Sequence, residues 1–179
     1  MTEMPRLIAN ATAAATDPAT VIAEVCEHFS EHDALIHQEG DVHVVTFPFG
    51  VGRLRPEAGA IALEAESKDI TGLYYMRMAL AGHVKELART TGPDIVWIGD
   101  GSDLITPPNL RLVQVRAIRD ISPTMRRITF GGDDLDRFAT DESLHVGLLL
   151  PSQGSLTVPP TIGRDGLLTW PDGMESRRC

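Results

Sequence analysis

Cysteine is scarce in this 179-residue sequence, with only Cys26 and Cys179 present. Two thiols that far apart do not make a disulfide framework, so a reducing cytoplasm is the expected compartment. Long apolar runs are also missing. No window approaches the roughly 18 consecutive apolar residues of a membrane helix, and none is expected. The opening "MTEMPRLIANATAAATDPAT" carries Glu3, Pro5 and Asp17 and has no unbroken stretch that reads as a signal peptide. Positive charge is in short supply. Sixteen Lys and Arg against 25 Asp and Glu give a net charge of -9 and a pI near 5.0, a field that repels phosphate. Broad binding to nucleic acid or to anionic membranes is thereby excluded, although a local basic pair can still hold one phosphate. No repeat of solenoid period is visible.

What is present, 42% hydrophobic and 23% charged residues, is ordinary for a globular chain of one large or two small domains. Residues 1–16 read as a loose lead of small residues. Asp17-Pro18 then starts a helix, with Asp17 as N-cap and Pro18 where its missing N–H is not needed. Val21, Ile22, Val25 and Phe29 recur at helical spacing to about Ser30. From 34 to 66 the period shortens, and "ALIH", "VHVVTF", "VGRLRP" and "AIALEAE" alternate between the turn formers "QEGD", "PFG" and "PEAG". A four-stranded antiparallel meander is expected. Ser67 or Asp69 caps a second helix that carries Leu73, Met76, Leu80, Val84 and Leu87 and is stopped by Gly92-Pro93; "IVWIG" at 95–99 is a last strand. Residues 17–99 are thus an α+β domain with two helices on one face of an antiparallel sheet, and the polar, Pro-rich 100–108 is a linker. Beyond it, from 109 to 179, the pattern is all-β.

Cys26, His28, His32, His37 and His43 crowd together. His28 and His32, four apart, share a helix face and a spacing that can ligate zinc, but no further ligand follows at metal-site spacing, and no metal site is assigned. A metal-binding reading on Cys26, His28 and His32 stays open beside that of solvated or structural histidines. Cys26 lies on or beside the apolar stripe and reads as a packed thiol. "GDGSD" at 99–103 lacks both the Walker lysine and the GxGxxG spacing, and reads as a linker turn. Arg126-Arg127 and Arg177-Arg178 are basic pairs. Neighbours on a strand point to opposite faces, so one arginine of each could enter a cleft while the other stays in solvent.

The order of motifs from 109 to 179 carries a resemblance. "LRLVQVRAIRDISPTMRRITFGGDDLDRF", then "LHVGLLLP", then "GLLTWPDG" and "RRC" resembles the opening of the siderophore-interacting protein family, FAD-dependent ferric-siderophore reductases related to ferredoxin reductases. Gly147 departs from it, since the family usually has a lysine after His-Val. The preceding part, from "EVCEHF" to "IVWIG", is similar to a bacterial domain of unknown function often placed ahead of these reductases, and gives no catalytic role to His83 or any other histidine. The resemblance implies an incomplete antiparallel β-barrel of the ferredoxin-reductase FAD-binding type over 109–179. It also implies a cytoplasmic oxidoreductase of iron acquisition that takes electrons from NAD(P)H or ferredoxin and reduces a ferric siderophore. By the same resemblance Arg178 matches the arginine that holds the FAD diphosphate and Cys179 the variable position after it. No catalytic residue is assigned. The chain is expected to be a C-terminally truncated form that does not retain FAD and is inactive alone. The alternative is a non-enzymatic module whose α+β domain binds a ligand or partner.

Overall fold

The computed structural model describes residues 6–88, 93–139, 146–151, 158–171 and, as backbone, 174–178. The chain divides into two units, residues 1–108 with 159–170, and 109–158 with 171–179.

The first unit is built on a six-stranded sheet. Strand β1 (Leu7–Ala14) leads into helix α1 (Pro18–Glu31). The meander follows as β2 (Leu35–Glu39), β3 (Val42–Phe47), β4 (Gly50–Glu57) and β5 (Ala60–Ser67), and then come α2 (Ile70–Leu87) and β6 (Ile98–Gly99). The sheet order is β2-β3-β4-β5-β1-β6, with antiparallel pairing throughout. Both helices start as the sequence dictates. The Asp17 carboxylate accepts from the Thr20 amide ahead of Pro18, and Asp69 accepts from the Gly72 amide at 2.9 Å. Each cap satisfies an N–H that the first helical turn leaves without a partner.

Residues 7–14, expected to be part of a loose lead, are instead a central strand. β1 pairs with β5 along its whole length, from Leu7 opposite Ser67 to Ala14 opposite Ala60. Its inward positions are Ala9, Ala11 and Ala13, all buried. Alanine is a poor strand former and gives little hydrophobic contrast against Asn10 and Thr12, so the period-2 signal is faint. Its small side chain suits this place, because α2 packs directly on β1, β4 and β5. Val21, Ile22, Val25 and Phe29 of α1, Leu73, Met76, Leu80 and Val84 of α2, and Val45, Leu54, Ile61 and Leu63 of the sheet close one hydrophobic core over a single sheet face. Phe29 sits at its centre, edge-on to Phe47 with ring centroids 5.3 Å apart.

Residues 100–105 are also more than a linker. The Asp100 carboxylate accepts from the Ile8 amide at 2.7 Å, and the Asp100 amide donates to the Ile8 carbonyl. Arg77, 1% exposed, donates to the Gly101 carbonyl and lies over the Trp97 ring. Burial pulls the pKa of its guanidinium down, partly countered by Asp103. The last strand is shorter than the expected 95–99. Ile95 and Trp97 are buried outside any strand, and Ile98–Gly99 alone pairs with β1.

In the second half the strands are β7 (Gln114–Ser122), β8 (Met125–Gly131), β9 (Gly147–Pro151), β10 (Thr161–Ile162), β11 (Leu168–Thr169) and β12 (Met174–Arg178), with a 3-10 turn at Asp136–Phe138. They pair antiparallel as β7–β8, β9–β12 and β10–β11. The stretch expected to be one β domain from 109 to 179 is interrupted, because β10 and β11 are grouped with the first unit.

Candidate functional site

The histidines are brought together in part. His28 on α1 and His32 at its C-cap face each other with their Nε2 atoms 3.2 Å apart, and the His28 ring lies 4.8 Å from that of His83 on α2. His83 donates its Nδ1–H to the Ala79 carbonyl at 2.8 Å. Among the described residues no group of three or more His, Cys, Asp and Glu side chains is placed to hold a metal ion. His37 pairs with Glu39 at 2.9 Å, whereas His43 Nδ1 is buried with no hydrogen-bond partner among the described residues. His145 lies outside the described residues. Cys26 is buried in the core, and burial pushes its thiol pKa up, away from the reactive thiolate.

The face of the first sheet that the helices leave open carries a groove of about 430 Å³. Asn10, Thr12, Arg55, Ala62, Asp94 and Ile98 are among its lining residues. Nearby on β4 and β5, Arg53 bridges Glu64 at 2.6 Å and Glu66 at 2.8 Å, and Arg6 also reaches Glu66. Burial raises the pKa of the Glu66 carboxyl. The hydrogen bonds and charges of Arg53 and Arg6 outweigh that and hold it below the ordinary carboxylate value.

In the second unit the two basic pairs lie on separate two-stranded sheets, Arg126-Arg127 on the β7–β8 hairpin and Arg177-Arg178 on the β9–β12 pair. Bulges at 116 and 121 interrupt an otherwise regular register, which sets Ile118 opposite Ile128, Arg119 opposite Arg127 and Asp120 opposite Arg126. Successive pairs occupy alternate faces. Arg126 is tied to Asp120 at 2.7 Å, whereas Arg119 and Arg127 share the other face with no ion-pair partner among the described residues. Arg126 and Arg127 thus point to opposite faces, but both are exposed, and the expected entry of one of them into a cleft is not seen among the described residues. Arg119, the second half of the cationic pair, was not singled out from the sequence. Its signal lay in the turn between "VRAIRDI" and "MRRITF", but the bulge at 121 shifts the register that plain counting from the turn would give. Like charges directly opposite each other are unfavourable unless an anion lies across them. The arrangement can hold phosphate oxygens by bidentate hydrogen bonds. On β12, the Arg178 backbone pairs with Gly147 of β9, and Arg177 with Leu148. The Arg178 side chain and Cys179 lie outside the described residues. A Cβ at Gly147 would meet no atom within 4 Å, so the strand has room for the lysine that the sequence lacks there.

Residues 10–98 match the model of a family described as an uncharacterized protein conserved in bacteria (DUF2218), and residues 114–179 match that of a siderophore-interacting FAD-binding domain. The chain thus carries a DUF2218 region followed by a siderophore-interacting FAD-binding domain. The antiparallel β7–β8 and β9–β12 pairs are consistent with an incomplete barrel of the ferredoxin-reductase FAD-binding type, and among the described residues no barrel is closed. The family's cofactor is FAD, and the donor set suits it. Arg119 and Arg127, exposed on one hairpin face, offer cationic forks that suit a diphosphate, whereas Ile118 and Ile128 lie on the opposite face. A solved structure, the NMR structure of PA4090 from Pseudomonas aeruginosa, is similar over 51% of this chain and 95% of that one, at 16% identity and a TM-score of 0.45. No curated protein matches the chain. No helix among the described residues is long and apolar enough to cross a membrane.

Proposed function

We propose that this chain carries the FAD-binding part of a cytoplasmic ferric-siderophore reductase, with NAD(P)H or ferredoxin as electron donor. The observation that carries the reading is the match of 114–179 to the siderophore-interacting FAD-binding domain, on strands that pair as β7–β8 and β9–β12. Bound FAD would supply the redox chemistry that protein side chains lack. Arg178, on β12, would grip the diphosphate by a charge-assisted fork. Arg119 and Arg127 would add positive potential in a chain that is otherwise acidic. The substrate is Fe(III) held by hard oxygen ligands such as hydroxamates or catecholates. One electron converts it to Fe(II), for which those ligands are poorly matched, and the metal is released.

This chain is expected to hold FAD weakly, because among the described residues β7–β8 and β9–β12 are separate two-stranded sheets whose edges pair with no further strand. The groove on the open face of the α+β sheet favours a second reading, in which that unit binds a ligand or partner of its own.

Amide shift mapping tests the proposal. Titrating FAD into the isotope-labelled chain should move resonances of residues 114–131, 147–151 and 174–178 and leave β3, β4 and β5 in place. Shifts confined to residues 7–87, or none at the highest FAD concentration, would overturn it.

A further inference from the structure

Residues 159–170 fall inside the flavin-domain match, yet they are packed as part of the α+β unit. The contact is built from specific groups. The indole N–H of Trp97 donates to the Asp165 carbonyl at 2.8 Å, and the Trp97 amide donates to the Arg164 carbonyl at 3.1 Å. Lys85 of α2 pairs with the Asp165 carboxylate at 2.6 Å, both side chains being mostly buried. The Ile162 amide donates to the Ile105 carbonyl at 2.7 Å. Leu167 packs against the core, and a Cβ at Gly82 of α2 would be in ordinary contact with it at 3.8 Å.

The segment is shaped for this seat. Gly163, Arg164, Asp165 and Gly166 make a tight turn in which the Asp165 side chain accepts from the Leu167 amide, and the Gly163 amide donates to the Leu167 carbonyl. Gly166 has a φ of +82°, and a Cβ there would lie 3.1 Å from Trp97 Nε1 and 3.3 Å from Arg77 Cβ. Only glycine meets both demands, the left-handed backbone and the close approach to the indole. Arg77 lies beneath, buried at 1% exposure, its Nε without a partner among the described residues.

We infer that the α+β unit is a docking seat for residues 159–170, so that the region matched to the uncharacterized bacterial family serves as a fixed scaffold for a segment of the flavin domain. The partner that the seat fits is a glycine-flanked acidic turn. An indole N–H and an amide grip its carbonyls, an ammonium meets its aspartate, and a small apolar notch takes the following leucine. This role is independent of whether FAD binds.

Hydrogen exchange on the full chain separates docking from mere folding of the hairpin. The Gly163 amide bonds within the turn, but the Trp97 and Ile162 amides are covered only when the segment is seated. In the unmodified chain both should exchange slowly. Gly166→Val should speed them at least about tenfold while β5 amides stay slow, since local opening leaves the core intact. Lys85→Met, which keeps the apolar stem and removes the charge, should act in the same direction with a smaller effect. Unprotected Trp97 and Ile162 amides in the unmodified chain would overturn the inference. So would protection unchanged in both variants.

Discussion

Gly72→Val unfolds the α+β unit or leaves it with a much lower melting temperature. A Cβ at position 72 would lie 2.3 Å from the Phe49 carbonyl oxygen and 2.3 Å from Ser67 Oγ, inside any van der Waals contact. Those two atoms are already engaged, because Ser67 Oγ donates to the Phe49 carbonyl at 2.7 Å. Neither can give way without breaking that bond or pushing the start of β4 off α2. The Gly72 amide is also the one that Asp69 caps, so tilting the helix to make room loses the cap as well. Overpacking a well-filled site typically costs about 1–3 kcal/mol, and a backbone clash belongs at or beyond the upper end of that range. Set against a total stability of roughly 5–15 kcal/mol, this is a large loss. Thermal denaturation followed by far-UV circular dichroism reads it directly. A melting temperature within a few degrees of the unmodified chain would show that the α2–β4 contact is not tight.

Phe29→Ala should be the costliest truncation in the core. Phe29 is 1% exposed and joins three elements, edge-on to Phe47 of β3 and tilted against His83 of α2 at 4.6 Å between ring centroids. Removing the ring loses its transfer free energy and leaves a cavity that the sheet cannot close. The expected cost is about 3–5 kcal/mol in urea unfolding. A loss below about 1 kcal/mol would mean that α1 and α2 collapse onto each other to fill the space. Where the cavity persists, Cys26, one turn earlier on the same apolar stripe, should become measurably reactive in the native state, because its protection comes from the same packing.

Much of the first unit is legible in the sequence. Asp17-Pro18 and Asp69 carry helix starts in their chemistry, and the meander is marked by turn formers at each end of its alternating runs. What stayed hidden has common physical causes. β1 is built of alanines, whose burial depends on α2 lying close and cannot be read from the hydropathy of Ala9, Ala11 and Ala13 alone. Gly72 looks like a weak point in a helix until its neighbours Phe49 and Ser67 are known. Residues 100–105 and 159–170 are polar, Pro- and Gly-rich, and read as loops. They are fixed by partners 92 and 68 positions away, Ile8 for Asp100 and Trp97 for Asp165, and local sequence carries no signal of such distant pairing. In the second unit the order of motifs gave the family, as the domain match bears out. The cross-strand pairing of Arg119 with Arg127 depends on the bulge at 121, which only the folded chain reveals.

On the proposed function, β7–β8 and β9–β12 form a flavin wall whose grip comes from arginine. Equilibrium titration of FAD into the unmodified chain and into Arg178→Ala tests it most directly. Weak, reversible binding that does not survive gel filtration is expected for the former. Loss of one charge-assisted fork should weaken the variant at least about tenfold. Riboflavin, which has no diphosphate, should bind both chains alike. Equal FAD affinity in the two chains, or stoichiometric yellow flavin retained through purification of the unmodified one, would contradict the account.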